Sequence, residues 1–179
     1  MADIFCSTDV DDYTQKDCGI DRAGIVAIAF IDPDAYSDVP SNVNLETASW
    51  WTDLQAESPP NIFIATKTRG EYQGGTPTEE EGFGQSPTQV TGANHELPIE
   101  FEGLEENRDF VEGINRRKWR VAFVTSGGLL HYVHTPGTAY FTEKIAKAPT
   151  SGAFWGGVVK WQDYSNPVIV EAPDDVFDE

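Results

Sequence analysis

The histidines, cysteines and carboxylates set what chemistry this chain could carry. His131 and His134 stand three apart in "HYVH". On a strand that spacing puts them on opposite faces, so a shared metal is not expected. His95, the third histidine, has only Glu96 as a sequence neighbour of metal-ligand type. Cys6 and Cys18, the two cysteines, are too few for a zinc site and have no histidine nearby in sequence. In a reducing compartment they are expected as free thiols, and a Cys6–Cys18 disulfide is expected only after release into oxidising surroundings. "DVDDYTQKD" at 9–17 imitates the start of a calcium loop. It lacks the glycine at the sixth position and a well-placed terminal glutamate.

Phosphate and acyl chemistry fare no better. "GGTPTEEEGFG" and "GFGQSP" have the glycines of a phosphate loop but no Lys-Ser/Thr, and neither opens a helix. Glu79, Glu80 and Glu81 would repel a phosphate. No serine sits in a G-x-S-x-G elbow. Carboxylates are so frequent that no pair stands out for glycoside hydrolysis. The expectation is a protein without catalytic residues, cofactor or metal. Trp50, Trp51, Trp155 and Trp161 leave one alternative of another class, an acidic glycan-binding module or hydrolase with rings for sugar stacking.

The elements that would position these residues come from periodicity and punctuation. "GIVAIAFI" at 24–31 is a continuous apolar run that predicts a fully buried strand. "NLETASWWTDLQAES" predicts a short helix with Asn44 as N-cap, ended by "SPP". One of Trp50 and Trp51 is expected in the core and the other at a groove or interface. "NIFIATKT" predicts the next strand. Leu97, Ile99 and Phe101 alternate on one face of another. "ENRDFVEGINRRKW" predicts a second helix, with Asn107 as N-cap and Arg116, Arg117 and Lys118 in its last turn. Trp119–Thr125, "SGG" and Leu129–Val133 read as a hairpin. "AYFTEKIAKAP" fits a strand or a partial helix, and "GAFWGGVVKWQD" and "PVIVEA" close the chain as strands. Seven or eight strands and two short helices without βαβ alternation predict a mainly β single domain. Its architecture is an antiparallel β-sandwich or rolled barrel with one or two flanking helices.

Three segments stand apart from that domain core: an acidic N-terminal arm at 1–22, a glycine-rich inter-strand loop at 69–96, and an acidic C-terminal tail at 171–179. The loop holds six glycines and two prolines. Loops of that length in compact domains are functional or disordered.

The 179-residue chain has 30 acidic and 12 basic side chains, a net charge of −18. Such a surface repels nucleic acid and anionic lipid. Half of the bases (Arg116, Arg117, Lys118, Arg120, Lys144, Lys147) fall between 116 and 147, while residues 1–60 carry twelve acids against Lys16 and Arg22. Opposite signs on different regions suit head-to-tail contact between copies. The start "MADIFCSTDVDD" has no basic and apolar export pattern, and "GIVAIAFI" is too short to cross a membrane.

The order of elements resembles the tail tube proteins of tailed bacteriophages and contractile injection systems. "CGIDRAGIVAIAFID" at 18–32 and "GFGQSPTQVTGANHELPIEF" at 82–101 carry the likeness, which extends to small virion proteins of phages infecting Bacteroidota. The resemblance implies a β-sandwich or rolled barrel that forms rings and stacks, with DNA passing along an acidic lumen without specific binding. Its partners would be further copies of itself and other virion proteins. Its location would be the virion, assembled in a bacterial cytoplasm. Head-decoration, connector and tail-terminator roles are alternatives within the same class. Tyr72, Phe83, Val90, His95, Arg116, Arg117 and Lys118 are the residues expected at subunit contacts.

Overall fold

A computed structural model describes residues 24–82, 88–145 and 152–177. Strand β1 (Ile25–Ile31) is buried on both faces. Ile25, Ile28 and Phe30 point into one core, while Ala27, Ala29 and Ile31 point into a second. From Ala27 to Ile31 the side-chain period of two makes that division, an irregularity between Ile25 and Ala27 puts Ile25 with the first core, and the small residues on the second face let helices come close. Helices α1 (Asn42–Glu46) and α2 (Ala48–Ala56) cover that face with Leu45, Trp51 and Leu54. The buried Trp51 indole donates to the Leu45 carbonyl at 2.8 Å, which satisfies its one polar atom.

Strand β2 (Ile62–Thr66) pairs with β1 and runs through Lys67 and Thr68 into β3 (Arg69–Gly70), which pairs with β5 (Gln89–Phe101). Lys67 has φ 54°, a left-handed kink at this crossing, and the Thr68 amide still donates to the Val26 carbonyl. The sheet path β2-β1-β6-β7-β8-β5-β3 therefore begins and ends on one piece of chain, and the sheet rolls into a barrel. Its remaining strands are β4 (Gly75–Glu80), β6 (Lys118–Thr125), β7 (Leu129–Lys144), β8 (Phe154–Asp163) and β9 (Val168–Glu171). All pairings among the described residues are antiparallel. The mainly β, antiparallel architecture with few helices is the one the strand patterning predicts.

Aromatic rings fill the barrel. Phe30 lies 6.2–6.4 Å from the rings of Phe101, Phe110, Trp119 and Phe141. Helix α3 (Arg108–Ile114) closes one end with Val111 and Ile114, and its Ile114 carbonyl accepts from the Trp119 indole at 2.9 Å. The hairpin of 119–125 with 129–133 forms as predicted, and "AYFTEK" continues β7 as strand.

Several local expectations change. The stretch 69–96 is not one long loop: residues 75–80 pair with 89–95 as a hairpin. Both of its faces are largely exposed at the far end, so no apolar alternation marks it, and glycine, proline and glutamate mask a strand that cross-strand pairing creates. The first predicted helix begins earlier, with the Ser41 hydroxyl accepting from the Asn44 amide at 3.3 Å, and breaks at Thr47. Asn107 stands at the start of α3, but its side chain donates to the Glu102 carbonyl rather than capping an amide. Arg116, Arg117 and Lys118 lie beyond α3, not in its last turn, because Asn115 turns extended there. The acidic tail begins inside β9, and Phe177 is buried 5.2 Å from the Trp51 ring. The arm at 1–22 lies outside the described residues, as do Cys6 and Cys18.

Candidate functional site

The hairpin of β4 and β5 is the feature that leaves the barrel. Strand β5 pairs with β8 from Ala93 to Phe101, but its first four residues, 89–92, pair with β4 alone. The end of β5 nearest Gln89 is thus a two-stranded arm. Its exposed side chains include Val90, 46% accessible, and Glu79, Glu80 and Glu81. Phe83 lies outside the described residues. Pro77 and a register shift between Thr78 and Glu79 interrupt the free edge of β4.

The arm is anchored by rings packed almost parallel. His95, 1% accessible, stacks on Trp161 with centroids 5.1 Å apart and planes 3° apart. Tyr72 lies parallel to both, and its hydroxyl is 2.6 Å from His95 Nδ1. His95 Nε2 faces the Asp163 carbonyl at 3.4 Å. A side chain at Gly75 would meet the His95 ring at 2.5 Å, so glycine is what lets β4 pass over it. Of the residues expected at a subunit contact, His95 is buried in this anchor and Tyr72 stands part-exposed beside it. His95 faces inward because it shares the inner face of β5 with Leu97, Ile99 and Phe101.

The basic cluster lies on the α3 side of the arm, with Lys118 in the same cross-sheet row as Glu96. Strand β5 delivers the chain at Phe101 to α3, and β6 leaves from α3. Arg116 and Arg117 lie in the turn between α3 and β6, Lys118 opens β6, and all three are exposed. Arg116 has φ 60°, a conformation non-glycine residues seldom adopt. The turn is held by the Arg116 amide on the Ala139 carbonyl at 2.8 Å and the Ala139 amide on the Arg117 carbonyl at 3.1 Å. The Asn115 side chain mimics a strand neighbour, donating to the Phe141 carbonyl and accepting from its amide, both at 2.9 Å. Arg69 pairs with Glu102, Arg108 with Glu112 and Lys160 with Glu96. Arg116, Arg117 and Lys118 form no salt bridge among the described residues, and neither do Glu79, Glu80 and Glu81.

No protein-family model, curated protein or solved structure matches this chain.

A polar cluster that no sequence motif marks lies under the α1–α2 face. Arg120 is 7% accessible, donates to the Tyr36 carbonyl and lies 4.8 Å over the Tyr36 ring, while its Nε has no partner. Tyr36 and Tyr132 hydroxyls are 2.9 Å apart, and Tyr132 reaches His134 Nδ1 at 3.1 Å. Burial raises both tyrosine pKa values. Burial, and then the Arg120 charge, hold His134 below the ordinary histidine value against the opposing pull of Asp163. Burial also lowers His131, which stacks on Phe123 at 4.9 Å on the other face of β7. The one available signal for Arg120 was its place in "KWRVAFV": residues 120, 122 and 124 share the face that the helices cover.

Other readings meet the geometry directly. His131 and His134 do point to opposite faces, and no group of three His, Cys, Asp or Glu among the described residues is placed to hold a metal. "GGTPTEE" forms part of the arm and opens no helix. Of the tryptophans considered for sugar stacking, Trp51, Trp155 and Trp161 are buried and Trp50 is half-buried, 5.3 Å from the Tyr36 ring. No described helix is long and apolar enough to cross a membrane.

Proposed function

We propose that the chain is a non-enzymatic structural subunit that assembles with copies of itself into rings and stacks of rings. Its closest functional class is the virion protein, of tail-tube type, whose acidic surface lets DNA pass without binding. The observation that carries this reading is the arm: a two-stranded hairpin outside the barrel, paired with nothing beyond itself at residues 89–92. An isolated hairpin is marginal in water. A neighbour that covers this one supplies what the barrel does not.

Unpaired edges support the reading. Strand β9 pairs on one side with β7, and Val168 and Ile169 beside its other edge are 38% and 56% exposed. No proline or lysine blunts it between Val168 and Glu171, unlike the free edge of β4. Unprotected apolar edges of this kind are completed by another chain in assemblies. The net charge of −18 adds like-charge repulsion toward DNA and few phosphate contacts.

Negative-stain microscopy with sedimentation over a concentration series tests the proposal. Rings or tubes that grow with concentration are the expected result. Rings that never stack favour the decoration, connector or terminator role. A monodisperse monomer throughout the series refutes self-assembly.

A further inference from the structure

We infer that the acidic arm of one copy docks on the basic Asn115–Lys118 turn of the next copy, so that the stacking contact is a charge-matched, head-to-tail joint. This rests on the assembly reading above and names its contact.

Complementarity is the first ground. Glu79, Glu80 and Glu81 are exposed and without a salt bridge among the described residues, and so are Arg116, Arg117 and Lys118. In a chain with 30 acids and 12 bases, three adjacent cations with no acidic partner among the described residues stand out. Arg69, Arg108 and Lys160, by contrast, each pair with a glutamate.

Placement is the second. Lys118, Thr138, Lys160 and Glu96 form one row across the sheet. From Glu96, strand β5 runs seven residues to Gln89, about 23 Å along the strand and away from α3. An arm therefore cannot fold back on its own basic turn. It reaches the equivalent turn of a copy placed end to end. Such a contact uses different surfaces on its two sides, and repeated contacts of that kind build a stack.

Construction is the third. The turn keeps Arg116 in a strained conformation, over-determined by two backbone hydrogen bonds and two from Asn115. This presents the three cations outward on a fixed frame. The β4 edge of the arm is built against the alternative joint, strand addition. Pro77 removes an amide from the β4 edge, and the shift at Thr78–Glu79 breaks its regularity. Beside that edge the arm offers the exposed carboxylates of Glu79, Glu80 and Glu81.

The test is a charge swap on the full chain. One variant carries Glu79→Lys, Glu80→Lys and Glu81→Lys; the other carries Arg116→Glu, Arg117→Glu and Lys118→Glu. All six positions are exposed, and circular dichroism checks that each variant folds. Each alone should need at least about tenfold more protein to stack than the unaltered chain, and an equimolar mixture should recover stacking as alternating copies. Should a reversed variant fail to fold, the glutamine versions replace it, and they should weaken stacking and flatten its salt dependence. If the unaltered chain stacks and the variants stack equally well, or the mixture recovers nothing, the docking is refuted and the assembly reading stands. If the unaltered chain never associates, the assembly reading fails first.

Discussion

Gly157 carries the sharpest structural prediction. It sits in β8 between Phe141 of β7 and Ile99 of β5, with both neighbours in the barrel core. A Cβ there would lie 2.1 Å from the Tyr140 carbonyl oxygen and 2.6 Å from the Phe141 Cα. Both are backbone atoms, so no side-chain rotation relieves the clash. Gly157→Ala must part β7 from β8 by about 1 Å, since ordinary contacts begin near 3.4 Å. Weakening about two ladder hydrogen bonds costs about 2 kcal/mol, and overpacking adds about 1–3 kcal/mol. A total near 4 kcal/mol is a large part of the ~10 kcal/mol expected for the domain. Urea unfolding followed by tryptophan fluorescence should show the midpoint falling by about 2 M at a slope of about 2 kcal/mol/M. Gly113→Ala is the control: the site is open, φ is ordinary and the residue is inside α3, so it should gain about 0.5–1 kcal/mol. A Gly157→Ala loss below about 1 kcal/mol would refute the close approach of β7 and β8.

Three further outcomes follow from the same geometry. Tyr132→Phe removes the hydroxyl shared by Tyr36 and His134 and should cost about 1–2 kcal/mol in the same unfolding assay. His131 and His134 have depressed pKa values in the fold, so the unfolded chain binds more protons once pH falls below about 6.5. Thermal stability should therefore fall between pH 7.5 and 5.5, and His131→Gln should flatten that slope; an unchanged slope would sink the assignment to His131. Ser41→Ala removes the cap of α1 and should cost about 0.5–1 kcal/mol, read as a shift of the thermal midpoint.

Much of the barrel was legible in the chain. Period-two alternation marked Leu97, Ile99 and Phe101, and the uninterrupted apolar run marked β1 as buried on both sides. The 119–133 hairpin announced itself by alternation around a glycine turn. The arm did not, because a hairpin exposed on both faces has no apolar period, and its glycines, proline and glutamates imitate a loop. The burial of His95 is hidden for a related reason: Glu96 and Asn94 around it look like surface, yet it lies in phase with Leu97 and faces inward.

Composition and periodicity determined the acidity, the strand-rich class and the charge imbalance between regions, since each is a sum or a local repeat. Only the tertiary structure decided which charges meet. It set Glu79, Glu80 and Glu81 on the arm and Arg116, Arg117 and Lys118 beside α3, closed the sheet through Lys67, and buried Arg120 with no salt bridge to it among the described residues. Those outcomes depend on pairing between residues far apart in sequence, and the alternation of a single strand carries no record of its partner.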